Sequence, residues 1–175
     1  GHAKGRGNIG GKSMWDKFGE FDSWEEINRA AKAQLEEGDM DAVRAIAEEN
    51  GIDPEDAEDF CTGTIDELTV PALAAVGKLE VEAKDLKITG MLEDWKNLVE
   101  QMCLESPKMA LAVRRKGKSL KDCMAKIMKE SSEKRARMDD RIAKAAGIPT
   151  PVYIGTATKA RIKEIARDYY LGEKK

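Results

Sequence analysis

Histidine is almost missing from this chain, and that gap excludes more chemistry than any motif supplies. His2 is the single imidazole among 175 residues. Triad-type nucleophilic catalysis relies on a base, most often a histidine, and this one sits in a Gly-rich leader. Cysteine is scarce as well. Cys61, Cys103 and Cys123 are odd in number and show no C-x-x-C spacing. That argues against a disulfide framework and against a zinc site. Each falls where an apolar residue suits, so buried free thiols in a reducing cytoplasm are expected. Phe, Trp and Tyr contribute three residues each. Ala, Leu, Ile, Val and Met must therefore do most of the core filling, which suits helix-on-helix packing. No apolar run approaches the roughly 18 residues of a membrane span, and no signal-peptide pattern is present.

Charge is plentiful. Asp, Glu, Lys and Arg make up 36% of the chain, and the net charge of −3 hides a division. From Glu20 to Glu105 there are 24 acids and 7 bases, a balance of −17. From Pro107 to Lys175 there are 8 acids and 19 bases, a balance of +11. Such a split speaks to partners and self-association rather than to fold. Two solvated faces that satisfy each other, within the domain or across a homodimer, are the plain alternative.

The expected architecture is all-α. Residues 14–172 form a single compact multi-helix domain, with an acidic front at 20–105, a basic back at 107–172 and at most one short β-segment near 152–154. Residues 1–13, GHAKGRGNIGGKS, read as a cloning remnant or disordered tail with Met14 as a plausible start; 173–175 form a second tail. Asp22 or Ser23 caps a first helix with Trp24, Ile27, Ala30, Ala31 and Leu35 as its stripe. Asp39 caps a helix over 40–49, ended by Asn50-Gly51. Asp53-Pro54 opens a third, cap followed by proline. Leu68 to Leu86 mixes helical and alternating spacing. Met91 to Glu105 carries a clear helical stripe through Trp95, Leu98 and Met102. Ser106-Pro107 begins a helical hairpin, Met109 to Met128, with a basic turn around Gly117. After Ser119 the helix either continues toward Ala146 or breaks in the charged stretch SSEKRARMDD. Gly147 to Pro151 is a boundary, and Thr156 or Thr158 caps a last helix ending at Gly172. The expected core includes Ile27, Leu35, Val43, Ile46, Trp95, Leu98, Met102, Leu120, Met124 and Ile165.

Two phosphate-loop look-alikes fail. G-x-x-x-x-G-K-[ST] needs glycine at residue 6 or 112, where Arg6 and Ala112 stand. The acidic run from Asp53 fails the EF-hand pattern, with Ala57 at position 5 and Glu58 in place of the central glycine. No metal and no cofactor are expected, and no enzyme, although folding could still bring two carboxylates together as an acid/base pair. Two interaction surfaces remain as candidates. One is acidic: Asp53, Glu55, Asp56, Glu58 and Asp59. The other is basic: Arg114, Arg115, Lys116, Lys118 and Lys121, placed to meet a partner or track phosphates through backbone-type contacts.

Several segments carry a family likeness. They are Lys17-Phe18-Gly19-Glu20-Phe21-Asp22-Ser23 with Glu25-Glu26-Ile27-Asn28, then Glu36-Glu37-Gly38-Asp39, and the run from Glu49 to Asp59. Gly117-Lys118-Ser119-Leu120-Lys121-Asp122-Cys123 and Asp168-Tyr169-Tyr170-Leu171-Gly172 complete them. Over about 18–172 the chain resembles the PcfK-like proteins of conjugative elements and phages, one branch of which is described as anti-CRISPR inhibitors. The resemblance implies a protein that binds a type II CRISPR nuclease (Cas-nine), alone or with its guide RNA, and inhibits it without catalysis. The alternative is an accessory DNA-binding or maintenance protein of a conjugative element or phage. A third reading is a structural dimer whose acidic and basic halves pair between chains.

Overall fold

The structure, a computed structural model, describes residues 20–172. The leader, His2, Met14 and the last three residues lie outside the described residues, and so do the expectations placed on them. Helices dominate. The only described strands are β1 (Ala136–Arg137) and β2 (Tyr153–Ile154). The chain gathers into two compact units that meet in sequence between Leu120 and Lys121, some fifteen residues past the point where the charge changes sign.

The first unit holds α1 (Trp24–Glu36), α2 (Met40–Glu49), α3 (Pro54–Cys61), α4 (Pro71–Leu86), α5 (Met91–Glu105) and α6 (Pro107–Arg114). Cap chemistry sets most starts. The side chains of Ser23, Asp39, Asp53 and Ser106 accept from the N–H groups of Glu26, Ala42, Glu55 and Met109, donors that the helices themselves leave unmatched. Proline opens α3, α4 and α6, where its missing N–H costs nothing. α4 is central: it packs on α5 and α6 and touches α1, while α2 packs on α1 and α3. Ile27, Val43, Ile46, Phe60, Leu68 and Ala74 belong to one core cluster, with Leu35 half-buried at its edge.

α4 approaches the Asn50-Gly51 turn after α2 closely, and two glycines permit it. A Cβ on Gly77 would collide with the Asn50 carbonyl, and one on Gly51 would strike the Gly77 backbone. Gly51 also has φ +70, a conformation that side chains disfavour. The loop before α4 is pinned to α1 by an amide pair. The Asn28 side chain donates to Thr69 O at 3.0 Å and accepts from Thr69 N–H at 2.9 Å.

The second unit contains the body of α7 (Leu120–Glu133), α8 (Asp140–Ala145), α9 (Lys159–Leu171) and the two strands. α7 stops at Glu133, so the break in the charged stretch is what the chain adopts. The expected β-segment near 152–154 is β2, but it is not alone. β1 pairs with it antiparallel, Ala136 opposite Ile154 and Arg137 opposite Tyr153. This second strand corrects the expectation of at most one. Two residues carry no readable alternation, and their strand character comes from a partner sixteen or more residues away. Thr158 caps α9 and Gly172 closes it in the left-handed region. Arg161 grips Glu130 with two hydrogen bonds of 2.6 and 2.7 Å, tying α9 to α7.

Of the expected core, Ile27, Val43, Ile46, Trp95, Met102, Leu120, Met124 and Ile165 are buried, while Leu35 and Leu98 are half-buried. Met40, Leu73, Leu86, Leu111 and Met128 are large apolar residues of these helices that stay exposed.

Candidate functional site

The acidic candidates occupy one helix start. Asp53 is the N-cap of α3, its Oδ1 accepting from Glu55 N–H at 2.8 Å. Glu58 receives a two-pronged grip from Arg44, at 2.6 and 3.2 Å. That hydrogen bond holds the Glu58 carboxyl below its ordinary range. Partial burial, with the charges of Asp53 and Asp59, raises Asp56 instead. Asp53, Glu55 and Glu58 are exposed and Asp56 and Asp59 half-exposed. The five acids therefore form a solvent-facing group, but two of them also serve the fold.

The basic candidates do not stay together. Arg115, Lys116 and Lys121 are exposed and Lys118 is half-buried. Arg114 is 1% exposed and belongs to the core, which corrects its assignment to a binding surface. Its guanidinium donates to the Asn50 side chain, to Ala74 O at 3.2 Å and to Phe21 O at 3.3 Å. A fork of five donors can be buried when several fixed acceptors face it. Burial nevertheless lowers its pKa to about 10, against the charges of Glu20 and Glu82.

Beneath the basic turn lies a cation that sequence reasoning missed. Lys78 of α4 is completely buried. Its ammonium donates to Val113 O at 3.0 Å, Arg115 O at 2.6 Å and Lys118 O at 2.8 Å, with Glu20 at 3.4 Å. One helical turn on, Glu82 accepts from Leu120 N–H at 3.1 Å. The pair thus reads both ends of the junction. A cation meets the carbonyl end of α6, and a carboxyl meets the amide end of α7, each the sign the helix dipole favours. Burial pushes Glu82 up to about 7 despite the opposing pull of Lys78, and it lowers Lys78.

A second cluster lies on α4 and α5. Lys96, 4% exposed, contacts Glu80 at 2.7 Å, Glu93 at 3.2 Å and Glu100 at 3.7 Å. Burial opposes its charge, but the three carboxylates outweigh that and raise it. Glu100 Oε2 is buried with no donor in hydrogen-bond reach. Burial and Glu80 push Glu100 up to about 8, while the bond from Glu100 lowers Glu80. Each of these two carboxyls therefore shifts the other's protonation. Glu80, Glu93 and Lys96 line an open cleft of about 800 Å³ with Glu48, Glu49, Asp85, Lys84 and Lys87. A pair of this kind can exchange a proton near neutral pH.

Burial also raises the Cys103 thiol to about 12, far from the range of a reactive thiolate. Among the described residues the three cysteines are free thiols, and no three His, Cys, Asp or Glu side chains gather as a metal-holding group. No described helix is long and apolar enough to cross a membrane.

No family model matches the chain, and no curated protein or solved structure is significantly similar to it. The missed residues did leave a trace. Lys78 and Glu82 stand four apart inside the apolar stretch 68–86, on the stripe of Ala74, Ala75 and Leu79, and Gly77 interrupts the same helix. A charged i, i+4 pair on an apolar stripe is the signal of a buried pair with partners elsewhere.

Proposed function

We propose that this protein works by binding, without catalysis, and that it inhibits a type II CRISPR nuclease by docking its acidic surface on the nuclease or its guide-RNA complex. The observation that carries the reading is the exposure of the acids on the helix starts and ends of α1 to α3. Glu25, Glu36, Glu37, Asp39, Asp53 and Glu55 all face solvent in a stretch with a balance of −17. Such a nuclease keeps its guide–target duplex in a positively charged channel and reads a short flanking motif with arginines. Carboxylates held on rigid helix ends compete for that charge without paying to order a flexible tail. The PcfK-like resemblance supplies the partner.

The test is a cleavage assay with purified nuclease and rising amounts of the protein. Inhibition should saturate near a fixed molar ratio. It should weaken when Asp53, Asp56 and Asp59 become Asn and Glu55 and Glu58 become Gln. No inhibition at large excess against several type II nucleases would end the reading.

A second reading, DNA binding by an accessory protein of a conjugative element or phage, is favoured by the exposure of Arg115, Lys116 and Lys121. It predicts DNA affinity that falls steeply with salt, in proportion to the phosphates neutralised.

A further inference from the structure

The stretch 132–160 follows a defined path with almost no core of its own. Ala143 is its single buried residue. Four large apolar side chains stand outside instead: Ile142 is 65% exposed, Tyr153 50%, Ile154 49% and Ile148 48%. Within 132–158 they accompany five bases and three acids, with the Arg135 guanidinium 5.5 Å from the centre of the Tyr153 ring. The ladder of β1 and β2 leaves each strand an unpaired outer edge. Apolar side chains concentrated in this way mark an interaction surface.

The chemistry selects the occupant. A nucleic-acid backbone would answer the bases but would leave three isoleucines in water. A protein surface that is both apolar and acidic answers both. The first unit carries such a surface within itself. A groove of about 570 Å³ beside α3 and the start of α4 is lined by Ile65, Leu68, Val70 and Leu73 and by three acids, Asp56, Asp66 and Glu67, against one base, Lys32. Val70 and Leu73 are 43% and 44% exposed.

We propose that the partner is a second copy of this chain, and that two copies exchange arms, each seating residues 132–158 in the other's groove. Reciprocal exchange closes the assembly as a two-fold dimer, whereas one-way docking would propagate into chains. The basic arm against the groove's acids sets the orientation, and burial of Ile142, Ile148, Tyr153 and Ile154 supplies the driving force. The inference does not rest on the nuclease reading, because it concerns the protein alone.

Sedimentation equilibrium of the full chain tests it, with Ile142→Asp as the arm variant and Leu73→Asp as the groove variant. Both positions are exposed, and circular dichroism checks that the helices persist. Ile148→Asp serves if Ile142→Asp fails to fold. The wild type should dimerise, more tightly at low salt. Each variant alone should associate at least about tenfold more weakly, a loss of about 1.4 kcal/mol. An equimolar mixture should recover part of the association, because one intact arm then meets one intact groove. A wild type that stays monomeric at every concentration overturns the proposal. So does a dimer indifferent to both substitutions, or a mixture no better associated than either variant alone.

Discussion

Replacing Lys78 by methionine isolates the contribution of one buried charge. Methionine keeps most of the volume and loses the ammonium. Three carbonyls, of Val113, Arg115 and Lys118, then lose their donor in a place where Lys78 itself is completely buried. Each net hydrogen bond is worth about 1 kcal/mol, and a buried acceptor left unmatched costs about 1–3 kcal/mol. Glu82 and Glu20 also lose the cation beside them. Removing one partner of a buried ion pair typically costs about 3–5 kcal/mol. The two estimates overlap, and Lys78→Met should destabilise by about 4 kcal/mol, comparable to a large share of a small domain's total stability. Arg115→Ala, a few residues away on the exposed side of the same turn, should change stability by no more than about 0.5 kcal/mol. Urea titration followed by circular dichroism at 222 nm measures both, the wavelength being the usual one for helix and about 1–3 kcal/mol/M the expected slope. A loss below about 1 kcal/mol for Lys78→Met would refute the reasoning, since that is the range of ordinary surface changes. Equal losses for the two variants would refute it as well.

Other outcomes follow from the same geometry. Gly77→Ala should cost about 1–3 kcal/mol or more in the same titration, because its Cβ meets the Asn50 carbonyl rather than a yielding side chain. Leu120→Asp places a charge at a site with no exposure and should cost several kcal/mol, roughly 3 or more. Glu82, raised from 4.5 to about 7, and Glu100, raised to about 8, both bind a proton more tightly in the folded protein. Their contribution to stability is therefore complete below about pH 4.5 and is lost as pH rises through about 7 and 8. For Glu82 alone the displacement corresponds to about 3 kcal/mol. Midpoints measured from pH 5 to pH 8.5 should fall with rising pH, and Glu82→Gln, which keeps an acceptor for Leu120 N–H, should flatten the slope.

The parts of the fold that were legible in the sequence are those written locally. Asp39 before a 3.6-residue stripe, with Asn50-Gly51 after it, defines α2 to the residue, and Gly90 and Ser106-Pro107 bracket α5 in the same way. Asp53 announces a helix start, and the pairs Asp22/Ser23 and Thr156/Thr158 each contain the cap that the structure uses, Ser23 and Thr158, because a short polar side chain satisfies an N–H two or three residues ahead. What escaped depends on long-range partners. Arg114 looks like its neighbours Arg115 and Lys116, and only the approach of Asn50, Ala74 and Phe21 turns it inward. Lys78 is buried because a turn some forty residues later bends three carbonyls toward it. β1 exists only through Tyr153 and Ile154. The acidic surface was legible as composition, but the grip of Arg44 on Glu58 joins residues fourteen apart on two helices and was not.

A direct binding titration tests the proposed recognition of the nuclease by the acidic surface without relying on cleavage. Guide-RNA-loaded type II nuclease is titrated calorimetrically with the wild-type protein and with a variant carrying Asp53→Asn, Glu55→Gln, Asp56→Asn, Glu58→Gln and Asp59→Asn. Asparagine keeps the capping oxygen at position 53, and circular dichroism confirms that α3 survives. The wild type should bind saturably at a fixed ratio, weakened by added salt, and the variant should bind at least about tenfold more weakly, or about 1.4 kcal/mol. Equal affinity of the two proteins, or no heat of binding from the wild type with either loaded or RNA-free nuclease, would contradict that recognition.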